Sequence, residues 1–323
     1  MPSTALLADP IFREHLAGRE HPERPERFDA VVRALEPLGL AAIPARAATQ
    51  DELLLCHTAE YLATAQHDVA SGCAYLSTGD TDITPNSWEV AGRAAGGVLN
   101  AVDLVMSGGA HNAFCAVRPP GHHATPNRGM GFCLLNNVAI AARYAQRRHG
   151  AERVLVADWD VHHGNGTQDV FYSDPSVFFF STHEWPLYPG TGRANETGEG
   201  PGEGTTMNFP FPAGSGRREI LGAFQSALLP VMENFRPDLV LLSAGFDSRI
   251  GDLLGSFTLT DTDFADLTAC VMEIADRHAG GRIVSVLEGG YTLSGLASAA
   301  AAHVRRLQER PGSGGQGPGN DAS

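Results

Sequence analysis

One pattern repeats along the chain: a short apolar run, a few polar residues, and then a stretch with the spacing of an amphipathic helix. The apolar runs cover residues 5–8, 112–117, 154–157, 177–180, 239–242 and 283–287. Short, continuously apolar runs are typical of strands buried on both faces, and strands that alternate with helices form parallel sheets. The pattern therefore predicts an α/β fold with a mainly parallel sheet between two helical layers, a three-layer αβα arrangement.

Helix boundaries are predicted from capping residues. Pro25 lies near the first turn of one helix, and Ser87 is expected at the N-cap of another. Thr260 and the acidic Asp263 form a capping pattern ahead of a third helix. Further helices are predicted over residues 138–148 and in the Ala-rich stretch that ends near Gln308.

The 323 residues show no internal break in composition. We therefore expect a single domain over residues 1–310, followed by a disordered Gly- and Pro-rich tail, residues 311–323. A formal charge of −14 argues against binding to nucleic acid or to an anionic membrane, and it favours cationic substrates. The oligomeric state is left open, and a homo-oligomer is compatible with the sequence.

The expected location is the cytoplasm. The five cysteines are scattered and form no CxxC pair, which is typical of a reduced protein. The first ten residues lack the basic and apolar segments of an export signal. No apolar run reaches the roughly 18 residues that a membrane-spanning helix requires.

Polar residues directly follow the apolar run 154–157, and they suggest a metal site. Asp158, Asp160 and His162 lie two residues apart, so an extended chain would direct them to one side. Carboxylates and an imidazole are suitable ligands for zinc, and a catalytic zinc ion takes three protein ligands and leaves one position open for water. Asp247 follows another predicted strand and is the best candidate for the third ligand, because sites in parallel sheets form at the carboxyl ends of the strands.

A water molecule activated by a metal also requires a base. The neighbouring His122 and His123 follow a predicted strand, and Asp158 and Asn165 are candidates to orient one imidazole each. Tyr291, after a Gly-Gly turn, is placed to donate a hydrogen bond to a developing oxyanion. Each of these residues alone has an ordinary structural explanation, such as capping or packing. Their joint occurrence at four strand ends favours a catalytic site.

Five segments occur in order along residues 5–308: Arg118-Pro-Pro-Gly-His-His-Ala, Gly131-Phe-Cys-Leu-Leu-Asn-Asn137, Asp158-Trp-Asp-Val-His-His-Gly-Asn-Gly-Thr-Gln168, Ala244-Gly-Phe-Asp247 and Glu288-Gly-Gly-Tyr291. Together they resemble the zinc-dependent histone deacetylase and acetylpolyamine amidohydrolase family. His21-Pro-Glu-Arg-Pro-Glu-Arg27 and Asn165 resemble the class II branch and its bacterial amidohydrolase relatives.

The resemblance implies an arginase/deacetylase-like fold and a set of roles in amide hydrolysis. The roles are zinc ligand for Asp160, His162 and Asp247; general base, and later acid, for His123; electrostatic companion for His122, paired with Asp158; and carbonyl-polarising group for Tyr291.

The resemblance also implies a substrate tunnel and a structural potassium ion. Phe132 and Tyr188 would be the aromatic walls of an acyl-lysine tunnel, and the carbonyl of Gly131 would accept the substrate amide N–H. At the rim, which is the entrance of this tunnel, Asp80 is the residue expected to orient the substrate backbone, with Asp82 as the alternative. The potassium ligands would be Asp158, Ser181 and the carbonyls of Asp160, His162 and Thr182, and a second cation would lie near Phe171, Asp174 and Val177.

Two departures from the family pattern bear on chemistry and substrate. Asn165 replaces the carboxylate of class I relatives, so His123 is expected to have a neutral partner and a lower pKa. Leu254 stands where polyamine-selective relatives carry a glutamate, which favours acyl-lysine over acetylated polyamines.

The resulting hypothesis is a zinc-dependent deacetylase that acts on acetyl-lysine or other short acyl-lysines in proteins or peptides. The alternatives are an acetylpolyamine deacetylase, an acyl-lysine reader without turnover, and a ureohydrolase with two manganese ions.

Overall fold

A computed structural model describes residues 4–309, and its core is one parallel sheet. The strands are β1 (Thr4–Leu7), β2 (Ala41–Ile43), β3 (Asn112–Cys115), β4 (Val154–Asp158), β5 (Val177–Glu184), β6 (Thr206–Phe211), β7 (Leu239–Ala244) and β8 (Ile283–Leu287). Their order is β2-β1-β3-β8-β7-β4-β5-β6, and every pairing is parallel. The predicted tail, residues 311–323, lies outside the described residues.

Helices cover both faces of this sheet. They are α1 (Pro25–Leu35), α2 (Gln50–Leu53), α3 (Ala59–Ala70), α4 (Ser87–Met106), α5 (Asn137–His149), α6 (Asn165–Phe171), α7 (Arg217–Ala223), α8 (Leu229–Phe235), α9 (Asp261–His278) and α10 (Leu293–Gln308). Successive side chains of β4 point to opposite faces: Val156 packs in the core with α4 and α5, and Leu155 in the core with α9 and α10. The predicted three-layer αβα arrangement is confirmed. Among residues 4–309, no helix is both long and apolar enough to cross a membrane.

The predicted caps have different outcomes. At α9, Thr260 Oγ1 accepts from the Asp263 N–H (3.4 Å) and Asp263 Oδ2 accepts from the Thr260 N–H (2.8 Å), as predicted. At α4, the N-cap is Asn86 and the prediction of Ser87 is wrong by one residue. The Ser87 hydroxyl instead accepts from the Thr84 N–H at 2.8 Å, so the buried oxygen is satisfied by the preceding loop.

The two outermost strands, β2 and β6, were not predicted. β2 has three residues, and β6 contains Pro210, which lacks a backbone N–H. Both lie at an edge of the sheet, where a missing ladder hydrogen bond is tolerated and the buried apolar pattern is weak.

The centre of the sheet positions the candidate site. Strands β3, β8, β7 and β4 are adjacent, and their carboxyl ends lead into His122-His123, Tyr291, Asp247 and Asp160, respectively. Residues that are far apart in sequence therefore meet at one edge of the sheet.

Candidate active site

Three buried side chains form a cluster with the composition of a metal site. Within residues 4–309, the candidate ligand atoms of Asp160, His162 and Asp247 all lie within 4.8 Å of one another. The predicted geometry was wrong in one respect, because β4 ends at Asp158 and the next residues form a bend. Asp158 Oδ1 accepts from the Asp160 N–H (3.0 Å), and Asp160 Oδ1 accepts from the His162 N–H (2.9 Å). Hydrogen bonds within the bend, rather than the pleat of a strand, therefore bring these residues together.

The space around the cluster fits a divalent cation. Asp247 Oδ1 accepts from the Val161 N–H at 2.9 Å, but its buried Oδ2 accepts no hydrogen bond, although it lies 3.2 Å from His162 Nδ1. Two glycines keep the carboxylates accessible. A Cβ at Gly245 would lie 2.1 Å from Asp160 Oδ2, and a Cβ at Gly289 would lie 1.9 Å from Asp247 Oδ2.

The charges of the cluster also favour a cation. Burial and the negative charge of Asp160 raise the pKa of Asp247 to about 7. A divalent ion would offset the repulsion between the two carboxylates and keep both deprotonated. Two carboxylate oxygens and one imidazole nitrogen form a donor set that suits zinc.

Each histidine of the neighbouring pair has a different partner. His122 Nδ1 lies 2.9 Å from Asp158 Oδ2, and His123 Nδ1 lies 2.8 Å from Asn165 Oδ1. The Asn165 amide nitrogen is directed at the His123 carbonyl (3.4 Å) and at Met130 Sδ (3.5 Å), so Oδ1 is the atom that faces the ring. His123 therefore donates through Nδ1–H, and in the neutral ring Nε2 is left as the proton acceptor.

The protein environment separates the pKa values of these two histidines. Burial lowers the pKa of His122, but the carboxylates of Asp160 and Asp158 outweigh burial and raise that pKa to about 10. Burial lowers the pKa of His123 well below its ordinary value, and the charges of His122 and His162 lower it further. From the sequence, a low pKa of His123 is attributed to the neutral Asn165, but in the structure burial is what lowers this pKa, and the hydrogen bond to Asn165 raises it. These opposite shifts favour a protonated His122 and a neutral His123, an arrangement typical of acid–base catalysis.

Tyr291 follows the turn Gly289-Gly290, and Arg27 contacts both the Tyr291 ring and the backbone of this turn. The Arg27 guanidinium lies 4.9 Å from the centre of the Tyr291 ring, and its Nε donates to the Gly290 carbonyl at 2.6 Å. The Gly289 N–H donates to Asp160 Oδ2 at 2.8 Å, which connects the turn to the metal cluster. Burial raises the pKa of Tyr291 well above its ordinary value, so the hydroxyl remains a donor.

Two buried residues of this site had no role in the sequence prediction. Arg27 is one, and it pairs with Glu23 at 2.9 Å. The other is Glu288, whose Oε2 accepts from the N–H groups of Gly121 (2.6 Å) and His122 (3.1 Å) and so fixes the histidine pair. The signal for Glu288 was present, because an acid that directly follows a buried strand requires partners. Arg27 gave no comparable signal, since the Gly290 carbonyl and the Tyr291 ring that it contacts are distant in sequence.

Phe132 and Tyr188, the predicted tunnel walls, lie beside Tyr291 and His123, respectively. The ring centre of Tyr188 is 5.1 Å from that of His123, and the ring centre of Phe132 is 6.0 Å from that of Tyr291. Gly131 has φ +58°, and a Cβ there would lie 2.4 Å from His123 Cδ2 and 2.9 Å from Tyr188 Cε1. Glycine is therefore required for these rings to approach this closely.

The two rival rim residues have different environments. Asp80 Oδ1 accepts from the Gly131 N–H at 2.8 Å, and Asp80 Oδ2 accepts from the Tyr188 hydroxyl at 3.0 Å. Asp82 instead pairs with Arg19 at 3.2 Å. Asp80 is thus the one that contacts the predicted tunnel residues. Leu254 is half-buried in the loop between β7 and α9.

The residues predicted to bind potassium lie next to the metal cluster. Asp158 and Ser181 are register partners on β4 and β5, and Thr182 follows on β5. Near the predicted second cation, Asp174 Oδ1 accepts from the Ser176 N–H at 2.8 Å and Oδ2 pairs with Arg143. The Asp174 carboxylate is therefore already engaged by protein groups.

Comparisons with known proteins agree with this geometry. The histone deacetylase domain model matches residues 21–307. The chain is 41% identical over 281 residues to the histone deacetylase-like amidohydrolase of Pseudomonas aeruginosa, covering 85% of this chain and 74% of that protein. It is 41% identical over 305 residues to the polyamine deacetylase HDAC10 of Homo sapiens, covering 90% of this chain and 45% of that protein. The crystal structure of the HDA15 HD domain matches with a TM-score of 0.90 and 37% identity, over 95% of this chain and 90% of that one. The chain therefore belongs to the histone deacetylase family and has its α/β fold.

Proposed function

We propose that this protein is a zinc-dependent deacetylase that removes acetyl or other short acyl groups from the ε-amine of lysine in peptides or proteins. The observation that carries the proposal is the buried cluster of Asp160, His162 and Asp247, which lies at the ends of adjacent strands together with His123 and Tyr291. Zinc held by the three ligands would polarise the amide carbonyl and acidify a water molecule. Membership of a family of deacetylases supports this reaction class.

The side chains of the site have complementary tasks in amide hydrolysis. His123 Nε2 takes a proton from the attacking water as the new C–O bond forms, and the Tyr291 hydroxyl donates to the oxyanion. His123 then gives the proton to the amine nitrogen as the C–N bond breaks, which releases a carboxylate and a free amine. His122, held by Asp158, keeps its positive charge beside the reacting atoms.

The surroundings of the site fit an acylated lysine side chain. Phe132 and Tyr188 would contact its aliphatic part, and the Gly131 carbonyl would accept the amide N–H. Asp80, at the tunnel entrance, would orient the substrate backbone. A potassium ion held by Asp158, Ser181 and nearby carbonyls, among them that of Thr182, would support the loop of zinc ligands, and a second cation would lie near Asp174.

An acetylated polyamine is the second candidate substrate. It is favoured by the relative from Homo sapiens, whose name is polyamine deacetylase. Leu254 favours acyl-lysine over an acetylated polyamine, since leucine offers no carboxylate to a distant ammonium group. A ureohydrolase with two manganese ions is less well supported, because residues 4–309 contain one metal-ligand cluster by the same distance criterion.

Parallel assays on the purified protein would test the proposal. Acetyl-, propionyl- and longer acyl-lysine peptides and N-acetylspermidine are compared by kcat/KM, together with the release of the free acid. We expect the acetyl-lysine peptide to be preferred, and we expect activity to vanish with a chelator and return with zinc. A large preference for acetylspermidine would reverse the order of substrates. Binding of acetyl-lysine without release of acetate, by protein loaded with zinc, would indicate a reader and overturn the proposal.

A further inference from the structure

One carboxylate in the loop between β7 and α9 holds the backbone of the turn that carries Tyr291. Asp252 Oδ2 accepts from the Tyr291 N–H (2.8 Å) and from the Thr292 N–H (2.9 Å). Its other oxygen, Oδ1, accepts from the Leu254 N–H at 3.1 Å. A single half-buried side chain therefore binds the backbone of both the candidate oxyanion donor and the candidate rim residue.

A third hydrogen bond connects the same two segments. The Thr292 hydroxyl donates to the Gly251 carbonyl at 2.9 Å, so residues 291 and 292 supply the donors and the loop supplies the acceptors. At the far end of the loop, a Cβ at Gly255 would lie 2.6 Å from the Asp247 carbonyl oxygen. The loop over residues 250–255 thus reaches from the turn that carries Tyr291 to the backbone of a candidate zinc ligand.

Ordinary helix capping does not account for this arrangement. A capping side chain accepts from the second or third N–H of its helix, and α10 begins at Leu293. Asp252 binds the two residues that precede Leu293, and the N-cap Thr292 makes no side-chain cap bond. The hydrogen bonds therefore orient the turn with Tyr291 rather than the first turn of the helix.

We propose that Asp252 is a positioning residue for turnover: it fixes the Tyr291 backbone, and hence its hydroxyl. It also holds the loop over residues 250–255 in a fixed position relative to that hydroxyl. The inference rests on the proposed function, because it requires Tyr291 to act in the chemical step. Hydrogen bonds from N–H groups to a carboxylate are about twice as strong as those between neutral groups, so one side chain suffices for this task.

A double-mutant cycle separates positioning from a general effect on the fold. We expect Asp252→Ala to lower kcat on an acetyl-lysine peptide by about 10- to 100-fold with a small change in KM, because a catalytic group displaced by 1 Å loses about that much. In a Tyr291→Phe background the same substitution is expected to cost less than about 3-fold, since no hydroxyl remains to be positioned. Asp252→Asn retains one acceptor oxygen for Tyr291 and Thr292, so it is expected to restore most of kcat.

Asp263→Ala is the matched control, because it removes a carboxylate that caps α9 away from the site. It is expected to lower Tm and leave kcat unchanged. Inactive wild-type protein loaded with zinc would overturn the proposed function and this role with it. If the wild-type protein is active, three results would overturn only the role of Asp252. They are an unchanged kcat in Asp252→Ala, an equally low kcat in the Ala and Asn variants, and a loss that persists undiminished in the Tyr291→Phe background. Should the Ala variant fail to fold, the same cycle is run with Asp252→Ser in its place, and an undiminished loss in Tyr291→Phe has the same consequence.

Discussion

The candidate active site has two regions that are built differently. We call the floor the residues at the strand ends: Asp160, His162, Asp247, His122, His123 and Tyr291. We call the rim the loop residues Asp80, Gly131, Phe132, Tyr188 and Leu254. The floor residues are buried, whereas the rim residues are half-buried or exposed. Electrostatic interactions are stronger in the buried floor, where water does not screen them, than at the rim. Substitutions in the floor should therefore change turnover, and substitutions at the rim should change substrate preference.

The largest effect is expected from the metal cluster. Asp247→Asn retains an oxygen that can accept from the Val161 N–H, so the loop should fold, but it removes the anionic ligand. Bound zinc should fall and kcat should drop by more than about 10³-fold, because zinc at this site would supply both carbonyl polarisation and the activated nucleophile. Metal analysis and acetate release measure the two quantities. Asp261→Asn, at a partly exposed pair with Arg249, is the control. Full zinc content with full activity in Asp247→Asn would exclude Asp247 as a zinc ligand.

The next largest effect is expected at the oxyanion donor. Tyr291→Phe should lower kcat by about 10²-fold or more and leave KM nearly unchanged, as the loss of an oxyanion donor usually does. Steady-state kinetics on an acetyl-lysine peptide give both values. Tyr144→Phe removes a hydroxyl bound to Asp103 on the outer surface of the fold and serves as the control. A kcat within about 3-fold of wild type for Tyr291→Phe would exclude the assigned role.

A smaller effect, visible as a shift in pH, is expected for the partner of His123. The pKa of His123 is lowered, so the base stays neutral below its ordinary titration range and kcat/KM should fall only at lower pH. Asn165→Asp places a negative charge beside the ring and favours its protonated form, which should raise the pKa by about 1 to 3 units. The acid limb of the kcat/KM profile should move to higher pH by the same amount, and activity should recover as the pH rises. Asn165→Ser, which adds no charge, should leave the limb in place. An unmoved limb in Asn165→Asp would show that another group is the base.

The difference between floor and rim also explains which parts of the site could be predicted from the sequence. Each floor residue follows a buried strand by a few positions, so the alternation of strands and helices was enough to bring Asp247 and His123 together. The bend that orients Asp160 and His162 was not predictable from spacing alone, since it depends on local hydrogen bonds.

Contacts between distant segments were the least predictable feature. Arg27 supports the Gly290 carbonyl across 263 residues of sequence, and a motif read along the chain contains no information on such a pair. At the rim, Asp80 and Asp82 lie in one loop, and only the fold distinguishes the one that contacts Gly131 and Tyr188 from the one that pairs with Arg19.

The smallest effect is expected at the rim, and it is a change of selectivity. Leu254→Glu places a carboxylate where a polyamine ammonium group would pass, but the position is half-exposed and the gain is limited by screening to about 1 kcal/mol, or roughly 5-fold in kcat/KM for N-acetylspermidine. The kcat on an acetyl-lysine peptide should not change, because the floor is untouched. Leu254→Gln matches the size without the charge, and the gain in the Glu variant should decline as salt is added. An equal gain in both variants would attribute the effect to polarity rather than charge. If Leu254→Glu lowers kcat on both substrates, the rim and the floor are not separable, as a strong coupling through Asp252 would require.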